Sequence, residues 1–187
     1  MTRRTTCCVI GGGPAGMVLG LLLARAGVEV TVLEKHGDFL RDFRGDTVHP
    51  STLMVMHELG LLDAFLRLPH HRIAHFTGTF GGTPVQIADL THLQVPAPFI
   101  AMMPQWDFLD FLANHGRAFA GFTLMMNAEA QGVIEEGGKV VGVHAVVDGE
   151  AEEIRADLVV GADGRHSIVR TALGLEVQDI GAPMDVL

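Results

Sequence analysis

Residues 5–34 read TTCCVIGGGPAGMVLGLLLARAGVEVTVLE, and they carry the strongest structural signal in the chain. The first six of these residues predict a β-strand, and residues 28–33 predict a second one. Between the two strands, a glycine-rich turn leads into an apolar segment in which Pro14 is placed to begin a helix and Gly27 to end it. The second strand finishes on an acidic residue, Glu34. The predicted order is therefore strand, glycine turn, helix, strand and acid.

The turn contains the pattern Gly11-x-Gly13-x-x-Gly16, in which each glycine has a physical reason. Gly11 permits a tight turn out of the strand, and Gly16 lets the helix lie close to the sheet. A side chain at Gly13 would keep the backbone away from a pyrophosphate, which the N–H groups and dipole of the helix start attract. Glu34 follows Gly16 by 18 residues, near the spacing of about 20 at which an acid binds ribose hydroxyls. A glycine turn that binds nothing is the alternative, and the strand–helix context favours a bound ADP moiety.

Composition and charge narrow the class of protein. The chain has 187 residues, of which 48% are hydrophobic, so it can bury a sizeable core and does not have the composition of a disordered protein. Its formal net charge of −9 argues against a nucleic-acid or anionic-membrane partner. The apolar run at residues 17–24 is too short to span a bilayer, and the glycine turn before it argues against an export signal. The simplest expectation is a soluble cytoplasmic protein.

The sequence has two cysteines, Cys7 and Cys8, which are adjacent in the first predicted strand. Successive strand side chains point to opposite faces of a sheet, so the two thiols make a poor disulfide or metal pair. We expect both to be small buried core residues. The ten histidines show no HExxH spacing, and no other pattern predicts a metal site.

The rest of the chain mixes helical, irregular and strand-like segments. Two short helices, at 50–59 and 61–68, carry apolar side chains that we expect in the core: Met54, Met56, Leu59, Leu62 and Phe65. Residues 70–104 are irregular, with a strand and a turn suggested at 77–85, and they either line a ligand or form an excursion. The remaining predicted elements are a helix at 105–119, a strand at 122–126, a three-stranded antiparallel meander at 133–136, 140–147 and 152–155, a strand at 157–160 and a helix at 165–173. Because 157–160 is nearly all apolar, we expect it to be buried on both faces in a parallel sheet.

Three stretches together resemble the FAD-dependent aromatic hydroxylases, the single-component flavoprotein monooxygenases related to p-hydroxybenzoate hydroxylase. The first is the glycine fingerprint with Glu34 and Lys35, and the second is RGDTVHPSTLMVMHELGLLDAF at residues 44–65. The third, DLVVGADGRHSIVR at residues 157–170, is the most specific and matches the family's Asp-Gly motif. The helices and meander that follow the fingerprint also differ from a nicotinamide dehydrogenase, which usually continues with further βαβ units.

The resemblance implies an α/β fold, a Rossmann-like FAD-binding domain with a parallel sheet and a three-stranded antiparallel meander. It implies that the glycine turn holds the pyrophosphate and that Glu34 binds the adenosine ribose. Arg44 would reach the phosphate region, Gln105 the ribityl side, and Asp163 would accept a hydrogen bond from a ribityl hydroxyl. The full cofactor-binding set that the resemblance implies is Gly11, Gly13, Pro14, Ala15, Gly16, Glu34, Lys35, Arg44, Gln105, Asp163 and Gly164.

Some of these positions have plainer interpretations. On spacing alone, Arg44 is equally well explained as an ordinary surface arginine. Asp163 and Gly164 would also suit a strand-end turn that caps the next helix, although the two other matched stretches favour the flavin role. Arg165 and Arg170 either help to attract NAD(P)H or lie on a solvated helix face.

The implied function is that of an NAD(P)H-dependent FAD monooxygenase, which hydroxylates an aromatic or related small molecule through a flavin C4a-hydroperoxide. No catalytic residue is assigned, because the cofactor carries the difficult chemical step. A non-catalytic nucleotide-binding module and an NAD-dependent dehydrogenase are the alternatives. The sequence makes no prediction about oligomeric state.

Length modifies these expectations, because members of the family usually run to about twice 187 residues. Their C-terminal half supplies a second flavin motif and most of the sheet that covers the substrate. We therefore interpret residues 1–187 as one FAD-binding domain, with an irregular insertion at about 70–104 and without the substrate-covering part. Residues 186–187 resemble a strand cut midway, so we expect a fragment of a longer hydroxylase rather than a short protein that has kept only nucleotide binding.

Overall fold

The computed structural model describes residues 1–40, 46–178 and 181 of the chain. In chain order its elements are β1 (Thr2–Ile10), α1 (Pro14–Arg25), β2 (Val30–Leu33), β3 (Thr47–Val48), α2 (Pro50–Glu58), α3 (Leu62–Phe65), β4 (His71–Ile73), β5 (His75–Phe80), β6 (Thr83–Asp89), β7 (Ile100–Met102), α4 (Gln105–Gly116), β8 (Phe122–Met125), β9 (Ala128–Glu136), β10 (Lys139–Val147), β11 (Glu150–Gly161) and α5 (Ile168–Ala172).

The chain divides into two compact units. One comprises Met1–Asp38 and Ala113–Leu187, and the other comprises Phe39–Leu112, so that the boundary falls within α4. The first unit holds a six-stranded sheet in the order β8-β2-β1-β11-β10-β9, together with α1 and α5. The second holds the three-stranded antiparallel sheet β3-β7-β4, the hairpin β5–β6, and the helices α2 and α3.

The six-stranded sheet is parallel on one side and antiparallel on the other. Strands β8, β2, β1 and β11 run parallel, whereas β10 and β9 are antiparallel to their neighbours. The predicted parallel sheet and meander are thus confirmed, and they form one continuous sheet. The segments predicted as separate strands at 152–155 and 157–160 are a single strand, β11, of 12 residues. No turn-forming residue interrupts it, so one edge of β11 pairs with β10 and the other edge pairs with β1.

The prediction that 157–160 is buried on both faces is wrong. Leu158 is 56% exposed, and Asp157 is exposed beside it. The helix α1 packs over β1, β2 and β8, where Gly20 permits close contact because a Cβ there would lie 2.6 Å from Val32 Cγ2. An apolar composition of a parallel strand therefore does not require that helices cover both of its faces.

An apolar core lies on one face of this sheet and draws side chains from all six strands, with α5 packed against it. Leu33, Val143 and Ile154 are among its most deeply buried members. Cys7 and Cys8 are both unpaired and buried, at 2% and 0% exposure, so the prediction that they are core residues is confirmed. Burial raises the pKa of Cys8 to about 12, so its thiol stays protonated at neutral pH and packs as a small apolar group.

The second unit contains an aromatic contact that joins two of its helical segments. Phe65, the last residue of α3, meets the rings of Phe108 and Phe111 edge-on, at centroid distances of 5.6 and 5.3 Å. This edge-to-face geometry is the one that aromatic quadrupoles favour, and each such pair adds about 0.5–1.5 kcal/mol beyond the burial of its area. Residues separated by more than 40 positions in the sequence are thereby held together.

The predicted core side chains of α2 and α3 are mostly confirmed. Met56, Leu62 and Phe65 are buried, and Leu59 is half-buried. The prediction for Met54 is wrong, since this side chain is 38% exposed. Leu53 and Met56 occupy the buried stripe of α2. Met54 follows Leu53 directly, so its side chain is rotated by about 100° around the helix axis, away from that stripe.

Several element boundaries differ from the predicted ones. The helices α2 and α4 begin where expected, but α3 covers only four residues and α5 only five. The irregular stretch 70–104 contains the hairpin β5–β6, whose strands span six and seven residues. Across the described ranges, no helix is long and apolar enough to cross a membrane.

An ion pair between an exposed arginine and a buried carboxylate joins the first strand of the sheet to β11. The Arg3 Nε group donates to Glu152 Oε2 at 2.7 Å, and the Glu152 carboxylate is buried. The hydrogen bond from Arg3 lowers the pKa of Glu152 below its ordinary value of 4.5, and burial opposes this effect. Because the folded-state pKa is depressed, the pair contributes its full stability above pH 4.5 and loses that contribution as the pH falls through the folded-state value.

We therefore predict that Arg3→Met lowers the thermal unfolding midpoint at pH 7, because the variant leaves a buried carboxylate without its partner. The difference from the parent should shrink as the pH falls below 4.5, where Glu152 becomes protonated. Arg4→Met is the matched control, because Arg4 pairs at 3.5 Å with an exposed carboxylate, Asp157. Equal losses in the two variants, or a loss that does not depend on pH, would contradict the prediction. Circular dichroism melts at several pH values provide the measurement.

Candidate functional site

The site is built where three neighbouring parallel strands end. Gly11 follows β1, Glu34 follows β2, and Asp163 follows β11 by two residues. Because β2, β1 and β11 are adjacent in the sheet, these three positions come to the same edge. In open α/β sheets, ligands bind in the crevice outside the carboxyl ends of the strands. The strand order thus brings together the glycine fingerprint and the stretch at residues 157–170, which are far apart in the sequence.

Gly11 and Gly16 are required by the packing of the turn itself. Gly11 has a φ of +109°, and a Cβ on it would lie 2.4 Å from the carbonyl oxygen of Ala162. A Cβ on Gly16 would lie 1.9 Å from the carbonyl oxygen of Gly11. The Ala162 N–H in turn donates to the Ile10 carbonyl at 2.7 Å, so the glycine turn and the end of β11 touch backbone to backbone. No side chain can be accommodated at either glycine without moving the main chain.

Gly13 differs from these two glycines. Apart from its chain neighbours, no described atom lies within 4 Å of the position that a Cβ on Gly13 would occupy. Its backbone is extended, with φ −72° and ψ 179°, which any residue adopts without strain. The packing of the described chain therefore gives no reason for a glycine here, and the space beside it is open.

The first turn of α1 presents backbone N–H groups toward this space. Gly13 is the N-cap of the 12-residue helix, no side chain caps it, and Pro14 is the first helical residue. The amide groups that follow, on Ala15 and Gly16, have no partner within the helix, because the first turn of any α-helix lacks one. With the positive end of the helix dipole, they form a site suited to an anion such as a diphosphate.

The carboxylate of Glu34 is buried beside the glycine turn. Residue exposure is 9%, and the Oε2 and Oε1 atoms accept from the backbone N–H groups of Gly12 and His36, each at 3.1 Å. Lys35, which follows, is exposed. Glu34 is thus an anchored acceptor at the edge of the site.

Asp163 divides its two oxygens between separate environments. Oδ2 accepts from the Ile168 N–H, the first amide of α5, at 2.7 Å. Oδ1 is buried, and among the described residues it has no hydrogen-bond partner. The helix-capping interpretation of Asp163 accounts for one oxygen only. The other is a buried acceptor that the described residues do not use.

Two residues of the site were not predicted. Ser167 is the N-cap of α5, and its hydroxyl accepts from the Arg170 N–H at 3.1 Å. This cap explains why α5 starts at Ile168 instead of the predicted 165, and a serine before the apolar pair Ile168-Val169 was the available signal. Gly12 was missed because the dinucleotide pattern leaves its position variable. The third consecutive glycine was the only signal.

For four other residues with predicted roles, no described contact of their side chains joins them to this cluster. Gln105 is half-buried and begins α4 in the second compact unit, as predicted for a residue that opens a helix. Arg44 lies outside the described residues. Arg165 is exposed, and its carbonyl accepts from the Arg170 guanidinium, so Arg170 is engaged locally. Roles for these residues stay predictions.

Comparison with known proteins gives consistent results. The sequence model of a protein family described as FAD binding domain matches residues 4–186. The chain is 36% identical over 172 residues to 6-methylpretetramide 4-monooxygenase of Streptomyces rimosus, which covers 92% of this chain and 41% of that protein. It is 33% identical over 173 residues to rifampicin monooxygenase of Streptomyces venezuelae, which covers 89% of this chain and 33% of that protein.

A solved structure shows the same fold. The p-nitrophenol 4-monooxygenase of Pseudomonas putida superposes with a TM-score of 0.79 at 26% identity, over 92% of this chain and 44% of that one. The chain therefore spans less than half the length of each of these three relatives.

The contrast between the two glycines leads to a prediction about stability. Gly11→Ala should destabilise the fold by about 1–3 kcal/mol or more, because it adds a Cβ at positive φ and against the Ala162 carbonyl. Gly13→Ala should cost no more than about 1 kcal/mol, the difference between glycine and alanine at an N-cap, because its Cβ enters open space. Urea denaturation without added nucleotide is the measurement. A large loss in Gly13→Ala would show that the fold itself needs this glycine.

Proposed function

The chain belongs to the FAD binding domain family, and from this we propose that it is the FAD-binding part of an NAD(P)H-dependent flavoprotein monooxygenase. We take residues 1–187 as the FAD-binding domain. The proposed reaction is the hydroxylation of an aromatic or related small molecule. Whole relatives with names such as rifampicin monooxygenase and p-nitrophenol 4-monooxygenase support this reaction class.

One observation carries the proposal: Asp163 Oδ1 is buried and has no partner among the described residues. An acceptor in that state costs free energy unless a ligand donates to it. A polyol chain is rich in hydroxyl donors, and the ribityl chain of FAD would supply one. The glycine turn that touches Ala162 would then place the diphosphate of the same molecule beside it.

The residues present also fit two other parts of FAD, the diphosphate and the adenosine ribose. Gly13 offers open space for the diphosphate, and the first turn of α1, with Pro14, Ala15 and Gly16, offers the amide donors. Glu34 offers anchored acceptors for the adenosine ribose. The remaining proposed contacts are Gly11, Lys35, Arg44, Gln105 and Gly164, with Arg44 reaching the phosphate region and Gln105 the ribityl side.

The bound FAD would supply the redox chemistry with NAD(P)H and O₂ by which one oxygen atom enters the substrate. The contribution of this chain is to bind the cofactor, fix its diphosphate and ribityl chain, and keep the nucleotide half out of water. No side chain of the chain is assigned a proton-transfer role. The names of the relatives support only a class of substrate for the whole protein, namely aromatic small molecules.

The first test places a bulky side chain in the space proposed for the diphosphate. The parent chain should take up FAD to near one equivalent and show flavin absorption bands, whereas Gly13→Val should bind FAD at least tenfold more weakly. Gly132→Val is the matched control, because Gly132 also has no described atom within 4 Å of a Cβ and no positive φ, but lies in β9. Equal FAD affinity in Gly13→Val and the parent would contradict the proposed site. Tryptophan or flavin fluorescence titration gives the dissociation constants.

The second test removes the unpartnered acceptor. A hydrogen bond to an ionised group contributes about 1.5–3 kcal/mol, so Asp163→Ala should weaken FAD roughly tenfold to a hundredfold. This variant also removes the cap on the Ile168 N–H, and Ser167→Ala controls for that, because it uncaps α5 while leaving Asp163 in place. We expect Ser167→Ala to keep FAD affinity within about threefold of the parent. Comparable losses in both variants would assign the effect to α5, not to a lost ligand contact.

A further inference from the structure

One oxygen of Asp163 is enclosed where α5 meets the end of β11. A Cβ on Gly161, the last residue of β11, would lie 3.0 Å from Val169 Cβ, 3.2 Å from Val169 Cγ2 and 3.3 Å from Asp163 Oδ1. The Val169 side chain and Oδ1 therefore border the same small space beside Gly161. Because the φ of Gly161 lies outside the left-handed range, its backbone conformation does not demand a glycine, and the missing side chain serves this close packing.

Val169 and the Asp163 carboxylate are each held in place by a further contact. Asp163 Oδ2 accepts from the Ile168 N–H at 2.7 Å, so the carboxylate cannot turn without losing this bond. Val169 and Ile168 are half-buried, and both pack against the apolar core of the sheet. The Val169 side chain is β-branched, which makes it stiff about χ1. The arrangement beside Gly161 is therefore a packed one.

The burial that leaves Oδ1 without a partner among the described residues also limits access to it. Oδ1 is shielded from solvent, so a group the size of water has no position from which to donate to it. A ribityl hydroxyl is a group of that size. The proposed contact with Oδ1 therefore requires a neighbouring group to move, and the side chain of Val169 borders the same space.

Two opposing effects act on this closed arrangement. Packing of the Val169 methyl groups against the core favours it. The buried acceptor without a described partner disfavours it, because an unsatisfied polar group costs free energy. Displacement of Val169 gives up the first effect and allows a ligand hydroxyl to remove the second. A small change at residue 169 should therefore shift the balance between the two arrangements.

We propose that Val169 is a positioning residue that controls access of the ribityl chain to Asp163. It covers Oδ1 in the ligand-free chain and moves aside when FAD binds. The inference rests on the proposed function, in which a ribityl hydroxyl donates to Oδ1. A ligand that has the ADP moiety but no ribityl chain does not need this movement.

The ratio of FAD affinity to ADP affinity is the measurement that a merely structural role would not move. Val169→Ala removes two methyl groups from the cover, so it should bind FAD about tenfold more tightly than the parent and ADP equally well. Ile168→Ala is the matched control, because it shortens the other core-packed side chain of α5 and leaves the space beside Gly161 unchanged. It should keep the parental ratio. Isothermal titration calorimetry with FAD and with ADP gives both affinities.

A disulfide provides a second test, because it fixes residue 169 beside Oδ1. A Cβ on Gly161 would lie 3.0 Å from Val169 Cβ, slightly closer than the separation of about 3.5–4.5 Å in a disulfide. In the double variant Gly161→Cys/Val169→Cys, the oxidised form should bind FAD roughly tenfold to a hundredfold more weakly than the reduced form. ADP should bind equally to both forms. Equal FAD affinity in the oxidised and reduced forms would overturn the proposal.

These outcomes separate the inference from the proposed function. A parent chain that takes up FAD, together with a Val169→Ala variant that keeps the parental ratio of FAD to ADP affinity, would overturn the role of Val169 while FAD binding stands. The same rise of the ratio in Ile168→Ala would assign the effect to α5 as a whole and would also overturn it. A folded parent chain that takes up neither FAD nor ADP would overturn the proposed function, and this inference with it.

Discussion

The contact on which the candidate site depends is a close approach of two main chains. The turn after β1 and the segment after β11 touch where Gly11 faces the Ala162 carbonyl, and the Ala162 N–H bonds the Ile10 carbonyl at 2.7 Å. This contact is possible because β1 and β11 are parallel neighbours in register up to Ile10 and Gly161. If a side chain separated the two segments, the glycine turn and Asp163 would no longer border the same space. Sheet topology and one missing Cβ thus bring two distant sequence motifs into one site.

The four glycines of the turn show that a glycine-rich motif can meet several requirements at once. Gly11 and Gly16 are demanded by backbone packing, and Gly12 by the side chain of Glu34. Only Gly13 has open space where its side chain would be. The packing of the described residues gives no reason for a glycine at position 13, and the anion proposed at the start of α1 would supply one. This sorting of glycines by what a Cβ would meet separates the residues that build a site from those that face its ligand.

Much of this arrangement follows from sequence, and the remainder depends on long-range contacts. The strand–turn–helix–strand order at residues 5–34 was predictable because Pro14, Gly27 and the apolar runs are local signals. The meander was predictable from its turns, but its union with the parallel sheet was not, since it depends on one strand, β11, that pairs with β10 over Glu150–Arg155 and with β1 over Glu153–Gly161. The exposure of Leu158 and Met54 was mispredicted because apolar composition does not reveal what lies over a residue. The Gly12–Glu34 contact joins positions 22 residues apart, beyond the reach of any local pattern.

In its proposed role, Asp163 would couple the fold to its ligand through one carboxylate. Its Oδ2 atom accepts from the first amide of α5, and this bond holds the side chain in place without a ligand. Its Oδ1 atom is left buried without a partner among the described residues, which costs about 1–3 kcal/mol in a folded protein. The proposed ligand hydroxyl, by donating to Oδ1, would remove this cost, so the contact that binds the ligand would also stabilise the fold. Because the Oδ2 bond fixes the side chain in advance, little conformational entropy is lost when the ligand arrives. The helix cap and the proposed ligand contact are therefore compatible explanations of Asp163, since each uses a different oxygen of the carboxylate.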